Sequence, residues 1–303
     1  AWQTLTAALV AAAGLAVVGQ MFPAFRLRGG VLDWRLLRSR LPFAMISQLT
    51  SGAIDLVWQV IPVLIRVTRG SVAITPYHVG QRFPLAVSAF NWRAAEALFP
   101  AASRDAPQDL AQGRELLRTG TRWSLLLTVP LCLVLWIVAP SLLRAWLGEA
   151  PAEMLAVLRI TSAAVAADAL GVAAVQVLWA AGGARTVLLI LGPGTLAYLA
   201  LTAGLLAGLG LASVAWGLFT LMLLRSLLLL RAASRAYRFS AASLILESIR
   251  AMLLPVCVCA GAASALLYLV KGSGWAGVIT TAAAATAAYG TALYFGPSRE
   301  EER

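Results

Sequence analysis

Nine long apolar stretches constrain this chain more than any motif in it. They run over residues 3–22, 43–65, 72–98, 123–146, 153–180, 186–207, 211–230, 244–270 and 275–295. Each reaches the roughly 20 residues that a helix needs to cross the hydrocarbon core of a bilayer. A helix satisfies its own backbone polar groups there, where no water can. The pattern therefore predicts an all-α, polytopic transmembrane helix bundle of about nine spans. Only 12% of the residues are charged and 60% are hydrophobic, against about 25% charged in a soluble domain. Such a chain cannot cover its surface with polar groups, so lipid must solvate much of it.

The breaks between runs carry turn chemistry. Gly29-Gly30, Gly182-Gly183, Gly208-Leu209-Gly210 and Gly272-Ser273-Gly274 give a permissive backbone, and Pro42, Pro107, Pro151 and Pro297 fall near span ends. No loop exceeds about 25 residues, and none carries a phosphate-binding or nucleophile motif. The chain reads as no enzyme and implies no cofactor. Cys132, Cys257 and Cys259 all lie in apolar runs. Residues two apart on a helix point to different faces, so the Cys257/Cys259 pair reads as small apolar side chains rather than a metal site.

The net charge of +11 follows from loop asymmetry, not from nucleic acid as a partner. One set of alternate loops holds Arg26, Arg28, Arg35, Arg38, Arg40, Arg104, Arg114, Arg118, Arg122, Arg185, Arg231, Arg235, Arg238, Arg299 and Arg303. The other holds only Arg66, Arg69, Arg144 and Lys271. Basic residues mark cytoplasmic loops. The expected topology is thus a multi-pass protein of a bacterial cytoplasmic (inner) membrane, with its first span running inward and its C-terminus cytoplasmic.

Two spans are polar along one face. The span at 43–65 holds Gln48, Ser51, Asp55 and Gln59, with Arg66 at its end. The next holds Thr75, His78, Arg82, Ala89, Arg93 and Glu96. These intervals of three, four and seven keep each set on one side of a helix. Pro62, Pro76 and Pro84 interrupt the pair, as in bent helices beside a cavity. A lone polar residue would read as helix–helix glue. Two neighbouring helices with ionisable groups along their length read as a hydrated substrate path through Gln48, Asp55, Gln59, His78, Arg82 and Arg93. His78 is a cavity residue or a satisfied interior one. Asp168, mid-span, is either half of an internal ion pair with Arg82 or another cation, or a site for a coupling ion or proton; Asp55 is the second coupling candidate. Glu247 and Arg250 are expected to pair with each other. Arg159 and Arg225 are expected to snorkel from span ends.

The stretch YHVGQRFPLAVSAFNWRAAEALFPAASR at 77–104 ends in Leu98-Phe99-Pro100 and a basic Arg104. The stretch GRELLRTGTRWSLLLTVPLCLVLWIVAPSLLRAWLG at 113–148 has a basic amphipathic entry, then Ala139-Pro140, then Trp146-Leu147-Gly148. A short Ala-Ala-Gly-Gly-Ala-Arg turn follows at 180–185. Together these resemble the multidrug/oligosaccharidyl-lipid/polysaccharide (MOP) exporter superfamily, and within it the polysaccharide or O-antigen flippase branch. The resemblance implies two six-helix lobes facing each other in a V, with two further helices. On that template residues 1–22 are the last helix of the first lobe, and the first five helices are absent from the chain. Residues 23–42 are a basic cytoplasmic linker, and 43–230 are the second lobe. Residues 231–303 are two extra helices and a short tail.

The implied function is translocation of a lipid-linked oligosaccharide by alternating access, driven by membrane potential or an ion gradient. Arg82 would hold the anionic pyrophosphate, and the implied partners are membrane lipid, the glycan substrate, and glycan polymerase or assembly proteins. A multidrug or toxin exporter of the same superfamily is the competing expectation. A membrane-embedded polymerase or glycosyltransferase fits less well, because it would need a large outer loop or a nucleotide-sugar domain.

Overall fold

The computed structural model describes residues 34–105, 109–269 and 274–295. Its helices are α1 Trp34–Arg69, α2 Ile74–Glu96, α3 Leu98–Asp105, α4 Leu110–Leu147, α5 Ala152–Ala180, α6 Ala184–Leu209, α7 Leu211–Ala236, α8 Ala241–Leu269 and α9 Trp275–Phe295. A single 3-10 turn, Ser71–Ala73, separates α1 from α2. No strand occurs among the described residues. Seven helices are long and apolar enough to cross a membrane: α1 from Leu41, and α4 to α9. The chain is a multi-pass, all-α membrane protein. Of the nine expected spans these seven qualify among the described residues; α2 is helical but too polar to qualify, and the run at 3–22 lies outside the described residues.

The chain divides into a unit ending at Met45, of which only the opening turns of α1 are described, and a unit from Ile46 onward. The latter holds the packed bundle. The linker expected at 23–42 is already helical from Trp34. The basic entry at 110–122 is likewise not a separate segment but the first turns of α4. At 1.5 Å per residue α4 is about 57 Å long, well beyond the roughly 30 Å hydrocarbon core. Its start is fixed by Asp109, whose side chain accepts from the Ala111 N–H at 2.7 Å, and its end by Gly148 at φ 84°.

The centre of the bundle is α5. Apart from Glu153, Arg159, Asp168 and Gln176 its residues are apolar or small, most of them are buried, and it packs against α2, α4 and α7. Lipid is as apolar as leucine, so helices associate here by close contact and hydrogen bonds rather than by expelling water. Small residues permit that approach. A Cβ at Gly171 of α5 would stand 2.8 Å from the Ser226 Cα of α7, and one at Gly80 of α2 would stand 2.9 Å from Val157 of α5. Hydroxyls then tie helices to neighbouring backbones: Tyr198 donates to the Val214 carbonyl at 3.1 Å, and Tyr289 to that of Leu126 at 2.7 Å. The pair α8 and α9 packs together and against α4.

Candidate substrate cavity

The conspicuous polar feature of the interior is built from three helices. Asp168 of α5 is buried. Its Oδ1 accepts from Arg225 of α7 twice, from Nε at 2.9 Å and from Nη2 at 2.6 Å, and its Oδ2 accepts from the Trp92 indole N–H of α2 at 3.2 Å. The Ser226 hydroxyl donates to the Asp168 carbonyl at 3.2 Å. The side chains of Arg225 and Asp168 are only 10% and 5% exposed. A buried charge is tolerable when paired and fully hydrogen-bonded, and both conditions hold for this carboxylate.

Of the two expectations for Asp168, the geometry supplies the ion pair. It is half of an ion pair, and its partner is Arg225, not Arg82. The expectation that Arg225 snorkels from a span end fails for a simple reason. Helix α7 continues to Ala236 rather than stopping at 230, so Arg225 lies about 16 Å along the axis from the helix end. Glu247 likewise pairs with Arg118 at 3.2 Å rather than with Arg250, because the extended start of α4 brings Arg118 beside α8. Arg159 donates to the Trp136 carbonyl at 3.3 Å and lies 6.0 Å from that indole ring.

Beside the pair lies a cavity of about 600 Å³ walled by α1, α2, α5 and α7. Three tryptophans line it, Trp58, Trp92 and Trp179, with Asp55, Arg93, Glu96 and Arg225 as its ionisable groups. Arg93 is held by Glu96 at 3.0 Å on the same helix. Asp55 has no cation at ion-pair distance among the described residues. The buried Trp179 indole N–H has no acceptor there either, leaving one unmet donor at the cavity wall. Trp179 and Glu96 belong to the last turns of α5 and α2, the arginine-rich end of the bundle, so the cavity extends from mid-depth to that end.

Of the residues expected on a substrate path, Asp55 and Arg93 line this cavity, and Asp168 stands behind its wall. Gln48, Gln59, His78 and Arg82 do not line it. They are nevertheless exposed, as are Thr75, Ala89 and Glu96 on the same face of α2. Arg82 sits two helical turns, about 10 Å, beyond Ala89 toward the arginine-poor end. His78 Nδ1 is 3.3 Å from the Gln81 side-chain nitrogen, and its ring meets that of Tyr77 edge-on. An ionised group facing lipid at mid-bilayer costs about 2.5–3.5 kcal/mol. The exposed polar faces of α1 and α2 therefore require water or protein against them.

The three tryptophans and Arg225 are the site residues that sequence reasoning passes over. The one available signal was spacing: Ser88 and Trp92 stand eight and four residues before Glu96, a member of the recognised stripe. Among the described residues no group of His, Cys, Asp and Glu could hold a metal ion. Cys132 and Cys259 are buried, Cys257 is exposed, and all three are free thiols. Comparison with family models, with characterised proteins and with solved structures finds no match for this chain.

Proposed function

We propose that the chain is part of an alternating-access exporter similar to the MOP superfamily, moving a lipid-linked oligosaccharide across the membrane. The observation that carries this reading is the tryptophan-lined cavity at membrane depth, interleaved with charged groups. A sugar presents apolar ring faces and a rim of hydroxyls. Trp58, Trp92 and Trp179 supply flat apolar surfaces for the faces. Asp55, Glu96 and Arg93 supply charge-assisted hydrogen bonds for the rim. The exposed stripe on α2 continues this path to Arg82, whose planar guanidinium suits a pyrophosphate. The resemblance of residues 77–148 to the flippase branch points the same way. Transport across such a site proceeds by rocking two halves about the bound substrate.

One observation favours the multidrug exporter instead. With Arg93 on Glu96 and Arg225 on Asp168, Asp55 leaves the cavity with one unbalanced negative charge, which suits a cation. The two readings separate in cells that lack their own polysaccharide flippase and drug exporters and express the gene. The glycan reading expects surface polysaccharide to be restored and then lost in Trp58→Ala and Trp179→Ala at unchanged membrane levels. Resistance to cationic dyes without glycan export, abolished by Asp55→Asn, would replace it with the drug-exporter reading.

A further inference from the structure

A second cleft, of about 560 Å³, runs between α6 and α7 and shares no lining residue with the polar cavity. Its walls are apolar and open to the outside: Leu201 and Leu205 on α6 and Trp216 and Leu224 on α7 are all exposed, with Ala197 and Ala212 leaving room between them. Its hydroxyls are engaged or buried within the two helices. Tyr198 donates to the Val214 carbonyl at 3.1 Å, Ser213 to Gly210 at 2.7 Å and Thr220 to Trp216 at 3.0 Å, and Thr202 is buried. With its walls mostly apolar and these hydroxyl donors engaged, the cleft suits a hydrocarbon chain.

The dimensions and one end of the cleft narrow this further. From Gly194 to Leu205 it extends about 16 Å at the helical rise, half of a hydrocarbon core about 30 Å thick. It starts near mid-helix and ends at the Gly210 turn that joins its two walls, so it lies within one leaflet, at the arginine-poor end. Opposite charges meet at that turn. The Arg69 guanidinium donates from Nε to the Leu206 carbonyl at 3.2 Å. A Cβ on Gly210 would stand 3.5 Å from Arg69 Nη2 and 3.7 Å from Glu153 Oε1. Both side chains are exposed, and Arg69 has no carboxylate at ion-pair distance among the described residues. A cation and an anion presented side by side at a chain-sized apolar cleft complement a headgroup that carries both signs.

We propose that this cleft is a binding site for a phospholipid with a phosphoethanolamine headgroup, one acyl chain lying between α6 and α7, its phosphate on Arg69 and its ammonium on Glu153. The site is independent of the transport reading. The test is native mass spectrometry of the purified full chain, released from bilayers of equal parts phosphatidylethanolamine and phosphatidylglycerol. The expected result is retained lipid dominated by phosphatidylethanolamine. Ala197→Phe, which fills the cleft from an exposed position, should remove it, while Leu189→Phe, exposed on α6 outside the cleft, should not. Glu153→Gln should lower the preference for phosphatidylethanolamine about fivefold, the scale of one ion pair at a membrane surface. Arg69→Gln should weaken retention of both lipids. Equal retention of the two lipids by the unaltered protein, or retention unchanged by Ala197→Phe at an unaltered elution profile, overturns the assignment.

Discussion

Removing one partner of the Asp168–Arg225 pair should be more damaging than removing both. Two unit charges 4 Å apart attract by about 4 kcal/mol at an effective dielectric of 20. Taking away one partner of a buried pair costs about 3–5 kcal/mol, because the survivor stays buried without compensation. At 10% and 5% side-chain exposure, neither group can turn to bulk water. Arg225 also borders the cavity, so the pair is not enclosed on every side and the lower figure of about 3 kcal/mol applies to Arg225→Met and to Asp168→Leu. The double variant replaces the pair with apolar groups of similar size and leaves only the Trp92 indole N–H without its acceptor, so it should cost about 1–2 kcal/mol, less than either single variant. Equilibrium unfolding in mixed micelles of the parent, both single variants and the double variant gives the coupling directly. Single variants each costing under about 1 kcal/mol, or a double variant costing their sum, would refute the buried pair as the tie between α5 and α7.

Three further outcomes follow from other contacts. Gly171→Leu drives its side chain into the Ser226 backbone at 2.8 Å and should destabilise the protein by about 1–3 kcal/mol in the same assay, as overpacking does. Tyr237, just past α7, has a buried hydroxyl without a partner among the described residues, and burial pushes its pKa above the ordinary tyrosine value. The unfolded phenol ionises first as pH rises, so stability held below about pH 10 is lost above it; Tyr237→Phe should match the parent near neutrality and lessen the alkaline loss. For topology, cysteines at the exposed Glu149 and Arg235 should react with an impermeant reagent from opposite sides of the membrane, Glu149→Cys from outside; these sites avoid Gly148, at φ 84°, and Gly113, packed on the Tyr237 ring.

The fold class was legible because it rests on one-dimensional quantities. Length and continuity of apolar runs set the spans, and the absence of water in the bilayer core makes them helices. The period of the polar residues also placed Asp55 and Arg93 on faces that line a cavity. Span ends were less legible: α4 and α7 run on through basic, polar residues, since arginine is a good helix former and need not stop a helix where the hydrocarbon ends. That error alone hid Arg225 and Arg118 from their partners.

What the sequence determined by itself is therefore the set of helices and the polar face of each. Which faces meet was decided only in three dimensions. Asp168 and Arg225 are 57 residues apart, and Trp58, Trp92 and Trp179 lie on three different helices. Their convergence depends on how far each helix is rotated about its axis and how closely it approaches its neighbour. Those two quantities are set by contacts such as Gly171 against Ser226 and Gly80 against Val157. A glycine in an apolar run has the same local preference whether it faces lipid or another backbone, so no periodicity records which it does.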